Sequence, residues 1–223
     1  VWRPRKGTVM RIAQISQCFE EVSSESERAE VRGVEFLTRS LMRFGHDVTV
    51  FASGDSRVSG RLIPVSPQAI RHYPSPKRHL SEGLTFLAIE KAFSMESSFD
   101  LLHVHAGFVA FPMMRRSPLP SVATVYGSLD APEILQLFRA FRELPLVATS
   151  AEQIRQCPEL NWLALIPVPG PRQRSEVPAE TMDSLVETAT AYTAVYESIV
   201  ERAVRPTHAV RPAYSLYDVQ TTV

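Results

Sequence analysis

The chain has 223 residues, of which 44% are apolar and 22% charged; this composition is typical of a globular protein and excludes collagen, disulfide-rich and disordered classes. Its 24 basic residues balance its 24 acidic ones, so net charge predicts neither a nucleic-acid surface nor an anionic-membrane surface. Cys18 and Cys157 lie far apart without a CxxC spacing, which excludes a zinc ribbon and favours a reducing, cytoplasmic location. The longest apolar stretch, 101–114, contains two histidines and a proline, so no transmembrane segment is expected.

The first predicted element is a strand over residues 10–16, and residues 1–9 before it are interpreted as an N-terminal extension. An amphipathic helix follows. Ser24 and Glu27 resemble a capping box at its start, and Gly45 stands where a C-cap glycine belongs. Its apolar face is predicted to comprise Val34, Leu37, Leu41 and Phe44.

Strands and helices continue to alternate along the chain. Further strands are predicted at 47–52, 61–65, 100–105, 121–127, 145–150 and 163–168. Helices are predicted between them at 80–96, 107–116 and 131–142. This alternation predicts an α/β fold: one Rossmann-like domain over 10–170, with a mostly parallel sheet covered by helices on both faces.

The sequence changes character after this domain. Residues 171–180 belong to a proline-rich stretch and predict a linker. A long helix is predicted over 181–204, and residues 205–223 predict an extended tail because they are polar, proline-bearing and without periodicity. The face of the long helix that is predicted to pack back on the sheet comprises Met182, Leu185, Ala189, Tyr192, Tyr196 and Ile199.

The glycines argue against a nucleotide-binding loop. None of the nine is adjacent to another or separated from it by one residue, so a GxGxxG fingerprint and a P-loop are both absent. Nucleotide binding at the first β-α turn is therefore not expected, and no cofactor is predicted.

Candidate ligand residues stand where two strands are predicted to end. His103 and His105 point to one face of the sheet at the carboxyl end of a strand, where α/β sheets bind ligands. Tyr126 and Gly127 end the next strand. No metal site is predicted, because no cysteine or carboxylate cluster completes the histidine pair. Ordinary structural histidines stay an equally open interpretation.

A helix start supplies the last two candidates. Ser150 is interpreted as the N-cap of a helix, with Gln153 three residues later. A GxSxG elbow is absent from the sequence, so a serine hydrolase is not supported.

Five segments occur together in a recognisable order: MRIAQIS (10–16), GHDVTVFASGDS (45–56), FDLLHVH (99–105), LPLVATSAEQ (144–153) and LNW (160–162). They resemble the N-terminal domain of family 4 retaining glycosyltransferases, which have two facing Rossmann-like domains. The segment AYTAVYESIV (191–200) resembles the crossover helix that ends such enzymes. The resemblance implies that residues 171–180 replace the second domain, which binds the sugar nucleotide through an Arg/Lys pair and two glutamates.

The same resemblance suggests which residues bind ligand and which have diverged. The implied acceptor or ligand candidates are His103, His105, Tyr126, Gly127, Ser150 and Gln153. The family's glycine pair before the first helix falls at Arg28 and Ala29, whose side chains obstruct the approach of a donor phosphate. Tyr126 stands where the family usually has a histidine. No catalytic residue is assigned.

These observations lead to three expected functions. The first is a catalytically inactive, glycosyltransferase-like structural or interaction subunit of a larger assembly. It would meet a protein partner through the former interdomain face and the tail 205–223, and it would bind no sugar nucleotide without a second chain. The alternatives are the acceptor-binding half of a split or partner-dependent glycosyltransferase, and a small-molecule, sugar-binding protein.

Overall fold

The computed structural model describes residues 9–74, 78–168 and 182–204. The predicted linker 171–180, the tail 205–223 and all of the N-terminal extension except Val9 lie outside these ranges. Six α-helices occur within the described ranges: α1 (Ala29–Arg43), α2 (Arg78–Ser94), α3 (Phe111–Arg116), α4 (Pro132–Ala140), α5 (Ala151–Gln156) and α6 (Met182–Val204). Short 3₁₀ helices lie at Ile70–His72, Glu96–Ser98 and Gly107–Ala110.

One parallel sheet of seven strands runs through the described part of the chain. Its strands are β1 (Arg11–Ile15), β2 (Asp47–Ser53), β3 (Arg61–Ser66), β4 (Leu101–Val104), β5 (Ser121–Val125), β6 (Leu146–Ala148) and β7 (Trp162–Leu165). The order β3-β2-β1-β4-β5-β6-β7 is Rossmann-like and confirms the predicted fold class. The order reverses between β1 and β4, so a crevice is expected outside the carboxyl ends of these two strands.

Helices cover both faces of the sheet and divide the core in two. On one face α1 and α6 pack together over the central strands, with Leu37 and Tyr196 among their buried side chains. On the other face α2, α3 and α4 contribute Ile89, Phe111 and Phe138. Complete burial of each such side chain stabilises the fold by about 1.5–3 kcal/mol. Because helices cover both faces of the sheet, the strands are buried on both sides and their sequences are continuous apolar runs.

The start of α1 differs from the prediction. The helix begins at Ala29, and the side chain of its N-cap residue, Arg28, makes no capping hydrogen bond. The capping box predicted from Ser24 and Glu27 is therefore wrong. The loop satisfies its own backbone instead, because the Glu27 N–H donates to Oε1 of Glu20 at 3.1 Å.

Both apolar helix faces are shorter than predicted. Phe44 is 42% exposed because it follows the last residue of α1, and Met182 is 59% exposed at the first residue of α6. The other predicted members of the two faces are buried. Gly45 is confirmed as the residue that ends the turn, since its φ of +86° lies in the left-handed region.

Two further boundaries moved. The helix predicted at 107–116 begins as the 3₁₀ turn Gly107–Ala110, and the last strand lies at Trp162–Leu165, not 163–168. Such shifts of up to four residues are usual, because periodicity identifies an element better than its ends.

Candidate functional site at the carboxyl edge of the sheet

A crevice opens at the carboxyl ends of β1, β4 and β5, with a volume of about 310 Å³. Its apolar wall contains Phe108, Phe111, Leu129 and Phe138. Its polar lining residues are Gln17, Ser81, Glu82, Thr85, Thr124, Tyr126 and Ser128. An apolar cleft with a few converging polar groups is the usual form of a small-molecule site, and this one lies where the strand order reverses.

Sequence reasoning identified little of this crevice. Tyr126 is the one predicted site residue along its wall, and Ser128 follows the predicted Gly127. Gln17 and Ser128 carry a signal that was available, since each comes directly after a predicted strand. Ser81 and Thr85 of α2 carry none, because their approach to the strand ends depends on how the helix packs.

His103 is held entirely by protein groups. Its side chain has no exposed surface, and its Nδ1 lies 2.7 Å from the Tyr196 hydroxyl of α6. Its Nε2 lies 2.7 Å from Oγ1 of Thr124 on β5. Burial, reinforced by neighbouring His105, holds the pKa of His103 well below its ordinary value, so the ring is neutral. His103 therefore joins β4, β5 and α6 and presents no nitrogen to a ligand in this arrangement.

His105 has one ring nitrogen without a partner among the described residues. The ring lies 4.0 Å from that of His103, centroid to centroid, and its Nδ1 is 2.7 Å from the Tyr126 hydroxyl. Burial lowers the pKa of His105 to about 3. Burial also raises the pKa of Tyr126 well above 10, with Tyr192 and Glu30 adding to the effect. The His105–Tyr126 pair is therefore neutral at pH 7, and Nε2 of His105 is a buried polar atom with no hydrogen bond to any part of the chain that the structure describes.

Helix α1 closes over this pair at Gly33. A Cβ atom on Gly33 would lie 3.1 Å from Cγ1 of Val168 and 3.6 Å from the Tyr126 hydroxyl. The first of these distances is tighter than an ordinary van der Waals contact. The absence of a side chain at Gly33 thus permits α1 to approach the end of β5 closely.

Ser150 is confirmed as an N-cap, and together with Gln153 it forms a capping box. The Gln153 amide also reaches back to the preceding strand, because Nε2 donates to the carbonyls of Val125 at 3.0 Å and Gly127 at 2.7 Å. Gly127 has a φ of +74°, which favours glycine. Gln153 therefore fixes the turn that follows β5, one of the walls of the crevice, and Ser150 caps the helix that carries Gln153.

The N-terminus of α1 is occupied by the protein's own groups. Arg28 forms a 2.5 Å ion pair with Glu30 in the first turn of the helix. Nη1 of Arg32 donates to the carbonyls of Ser26 and Glu27 at 2.7 and 3.0 Å. A helix N-terminus attracts anions, and here the Glu30 carboxylate already supplies one. Ala29 is the first residue of α1, so Arg28 and Ala29 both present side chains at this end of the helix.

The chain matches the family model of Glycosyltransferase Family 4 over residues 31–158, more than half of its length. The chain belongs to glycosyltransferase family 4. The matched region of this family 4 domain includes all six ligand candidates and ends before β7. Arg28 and Ala29 lie before it, and α6 lies after it. A comparison with curated proteins finds no match.

Within the described ranges, no helix is both long enough and apolar enough to span a bilayer. Both cysteines are buried and carry free thiols.

Proposed function

We propose that this family 4 domain is a catalytically silent structural or interaction subunit of a larger assembly, in which residues 171–180 replace the family's donor-binding domain. The family relationship supports a glycosyltransferase-like origin. The proposal adds that the chain alone does not transfer sugar, because the groups that hold and neutralise a sugar nucleotide belong to the replaced domain.

The closed N-terminus of α1 is the observation that carries this proposal. Phosphate binding at a helix N-terminus requires accessible backbone N–H groups and a site that is not already negative. Here Glu30 lies in the first turn, Arg28 is paired with it, and Arg32 closes the preceding loop. A donor diphosphate would meet a carboxylate and two side chains where the family has glycines.

The state of the histidines supports the same conclusion. A general base that works near pH 7 needs a pKa near that pH. The pKa of His105 is about 3, and the pKa of His103 is also lowered by burial. Both rings contribute to the packing between the sheet and its helices. This structural role agrees with a domain that binds a partner and does not catalyse a reaction.

We place the partner at the carboxyl edge of the sheet, which the family uses to face its second domain. The C-terminal half of α6 leads to this edge, since Thr193 lies near the start of β2 and Tyr196 reaches His103 further along. We propose that the tail 205–223, which follows α6 in sequence, extends this interface.

The crevice favours one alternative, an acceptor-binding half of a split glycosyltransferase. Its volume of about 310 Å³ lies at the lower end of the range for small-ligand sites, roughly 300–1,000 Å³. In this alternative a second chain supplies the donor domain, and the crevice holds the acceptor.

The deciding experiment is a donor assay with the purified chain. UDP-, GDP- and ADP-glucose are each incubated with the protein, and release of the nucleoside diphosphate is measured together with binding by calorimetry. We expect neither turnover nor binding. The variant R28G/A29G/E30Q restores the family's glycines, removes the carboxylate and is expected to bind UDP more tightly than wild type. Donor turnover by the pure wild-type chain contradicts the proposal, and equal UDP binding contradicts the role given to Arg28, Ala29 and Glu30.

A second experiment locates the partner surface. The chain is purified with its native partners, and the stoichiometry of the complex is measured by native mass spectrometry. Ser128→Arg places a bulky charge at the carboxyl edge and is expected to disrupt the complex. The matched change Ser94→Arg, at the exposed end of α2 on the opposite edge, is expected to leave it intact. Sugar transfer that requires the partner and is suppressed by Ser128→Arg favours the split-enzyme alternative instead.

A further inference from the structure

A cluster of metal-ligating side chains lies at the outer half of the carboxyl edge, away from the crevice. It contains Glu21, Asp55 and His72, whose candidate ligand atoms all lie within 4.8 Å of one another. Glu21 and Asp55 come from the loops that follow β1 and β2, and His72 ends the 3₁₀ helix that follows β3. From this convergence we infer that the cluster is a binding site for a transition-metal dication, with Zn²⁺ as the best-matched ion.

The distances suit a small tetrahedral ion. Nε2 of His72 lies 2.9 Å from Oε2 of Glu21 and 3.9 Å from Oδ2 of Asp55. Ligand atoms around tetrahedral zinc, with bonds of about 2.0–2.1 Å, are separated by roughly 3.3 Å. The ligand atoms of Glu21 and Asp55 lie within 4.8 Å of each other, so changes in separation of up to about 1.5 Å would bring all three atoms to that spacing and leave a fourth position for water.

The surrounding groups already orient two of the ligands. Both oxygens of Asp55 accept from the backbone N–H of Ala69 at 3.0 Å. Nη2 of Arg71 donates to Oε1 of Glu21 at 2.5 Å, which leaves Oε2 directed at His72. Outer hydrogen bonds of this kind hold carboxylate ligands in metal sites. Nε of Arg71 also lies 3.2 Å from Nε2 of His72, so zinc would displace this one guanidinium contact.

The charge and ligand set select the ion. Two carboxylates balance the charge of a dication, and an imidazole ligand suits zinc, whereas Mg²⁺ prefers oxygen ligands. Backbone hydrogen bonds hold the loops in place, since the N–H groups of Ile70 and Arg71 donate to the carbonyls of Cys18 and Phe19. The bound ion would therefore cross-link three segments that are already close together. One of them leads into α1, which covers the His105–Tyr126 pair.

Calorimetric titration of the full chain with Zn²⁺, and with Mg²⁺ in parallel, tests this site. Wild type is expected to bind one Zn²⁺ and to bind Mg²⁺ far more weakly. His72→Ala and Asp55→Asn are each expected to lower Zn²⁺ affinity by more than about tenfold, the loss typical of removing even an outer-shell partner. His79→Ala, an exposed histidine on α2, is the matched control and is expected to bind like wild type.

Co²⁺ provides a second readout through its visible absorption, which reports tetrahedral coordination. Circular dichroism establishes that each variant is folded, and His72→Gln replaces His72→Ala if the alanine variant is not. Failure of wild type to bind Zn²⁺ overturns the inference. Zn²⁺ binding that persists unchanged in the folded His72 variant, or equal affinity for Mg²⁺, also overturns it.

Discussion

The hydroxyl of Tyr196 lies 2.7 Å from Nδ1 of His103, although 93 residues separate the two in sequence. This buried contact joins the last helix to a central strand of the sheet. The same imidazole reaches Thr124 through Nε2, and Thr124 lies 3.1 Å from the Tyr192 hydroxyl. The docking of α6 is thus specified by polar groups as well as by apolar packing.

Tyr196→Phe is expected to destabilise the protein by about 1–3 kcal/mol, because it leaves a buried nitrogen of His103 without its partner. Tyr192→Phe should have a smaller effect, since Thr124 keeps its hydrogen bond to His103. Urea unfolding of both variants measures the difference. Equal losses of stability would contradict the special role of the His103–Tyr196 contact.

Stability is expected to fall as the pH drops below about 6.5. The folded state holds His103 and His105 neutral, whereas the unfolded chain protonates both near their ordinary pKa of 6.5. The unfolded state therefore binds more protons, and each histidine contributes a slope of up to about 1.4 kcal/mol per pH unit. For His105 the loss continues down to its folded pKa of about 3.

The histidine contribution is measured by comparing wild type with His105→Gln in urea unfolding at several pH values between 7 and 5. The variant should show a shallower dependence on pH by about one proton. Parallel curves for the two proteins would indicate that His105 titrates alike in the folded and unfolded states.

Two helical glycines are expected to respond differently to substitution by alanine. Gly83 of α2 has no atom within 4 Å of an added Cβ, so Gly83→Ala should stabilise the protein by about 0.5–1 kcal/mol. Gly33→Ala gains the same helix propensity but places a methyl group 3.1 Å from Val168. Thermal unfolding should therefore rank Gly83→Ala above Gly33→Ala, and the reverse order would contradict the close packing of α1.

Gln153 should matter more than the N-cap serine beside it. Ser150→Ala removes one capping contact and is expected to cost about 1 kcal/mol. Gln153→Leu removes the donor to the Gly127 carbonyl and the acceptor of the Thr149 and Ser150 N–H groups, each of which costs about 1–3 kcal/mol if left buried and unpaired. The Val125 carbonyl keeps its hydrogen bond from Oγ1 of Thr149. Denaturant midpoints give the comparison, and a milder effect for Gln153→Leu would mean that the turn after β5 is held by other contacts.

Local sequence patterns predicted the fold, whereas contacts between residues distant in sequence determine the site. Alternating apolar runs predicted the seven strands and six helices, and Gly45 marked a helix end because a left-handed residue is needed there. The partner of His103 was not predictable, since no local rule connects it to Tyr196. The Ser24 and Glu27 pattern failed for a related reason: the loop's hydrogen bonds are made with Glu20 before the helix begins.

The candidate ligand residues stay a prediction in their binding role, while their positions are now defined. Gln153 holds the turn after β5, which forms a wall of the crevice, and Ser150 caps the helix that carries Gln153. Tyr126 lines the crevice itself. Glu82 and Phe108 line the crevice but stand in segments with no motif, so only the packing of α2 and the turn after β4 brings them to it.

The positions of Val168 and Met182 bear on protein engineering. Val168 packs near Gly33, towards the start of α1, whereas Met182 contacts Arg43 at the last turn of that helix. The seventh strand of the sheet ends before Val168. Helix α6, which begins at Met182, packs on the sheet through its own side chains. A fusion between these two residues therefore leaves every strand pairing untouched, which makes this junction the natural place to graft a foreign domain onto the scaffold.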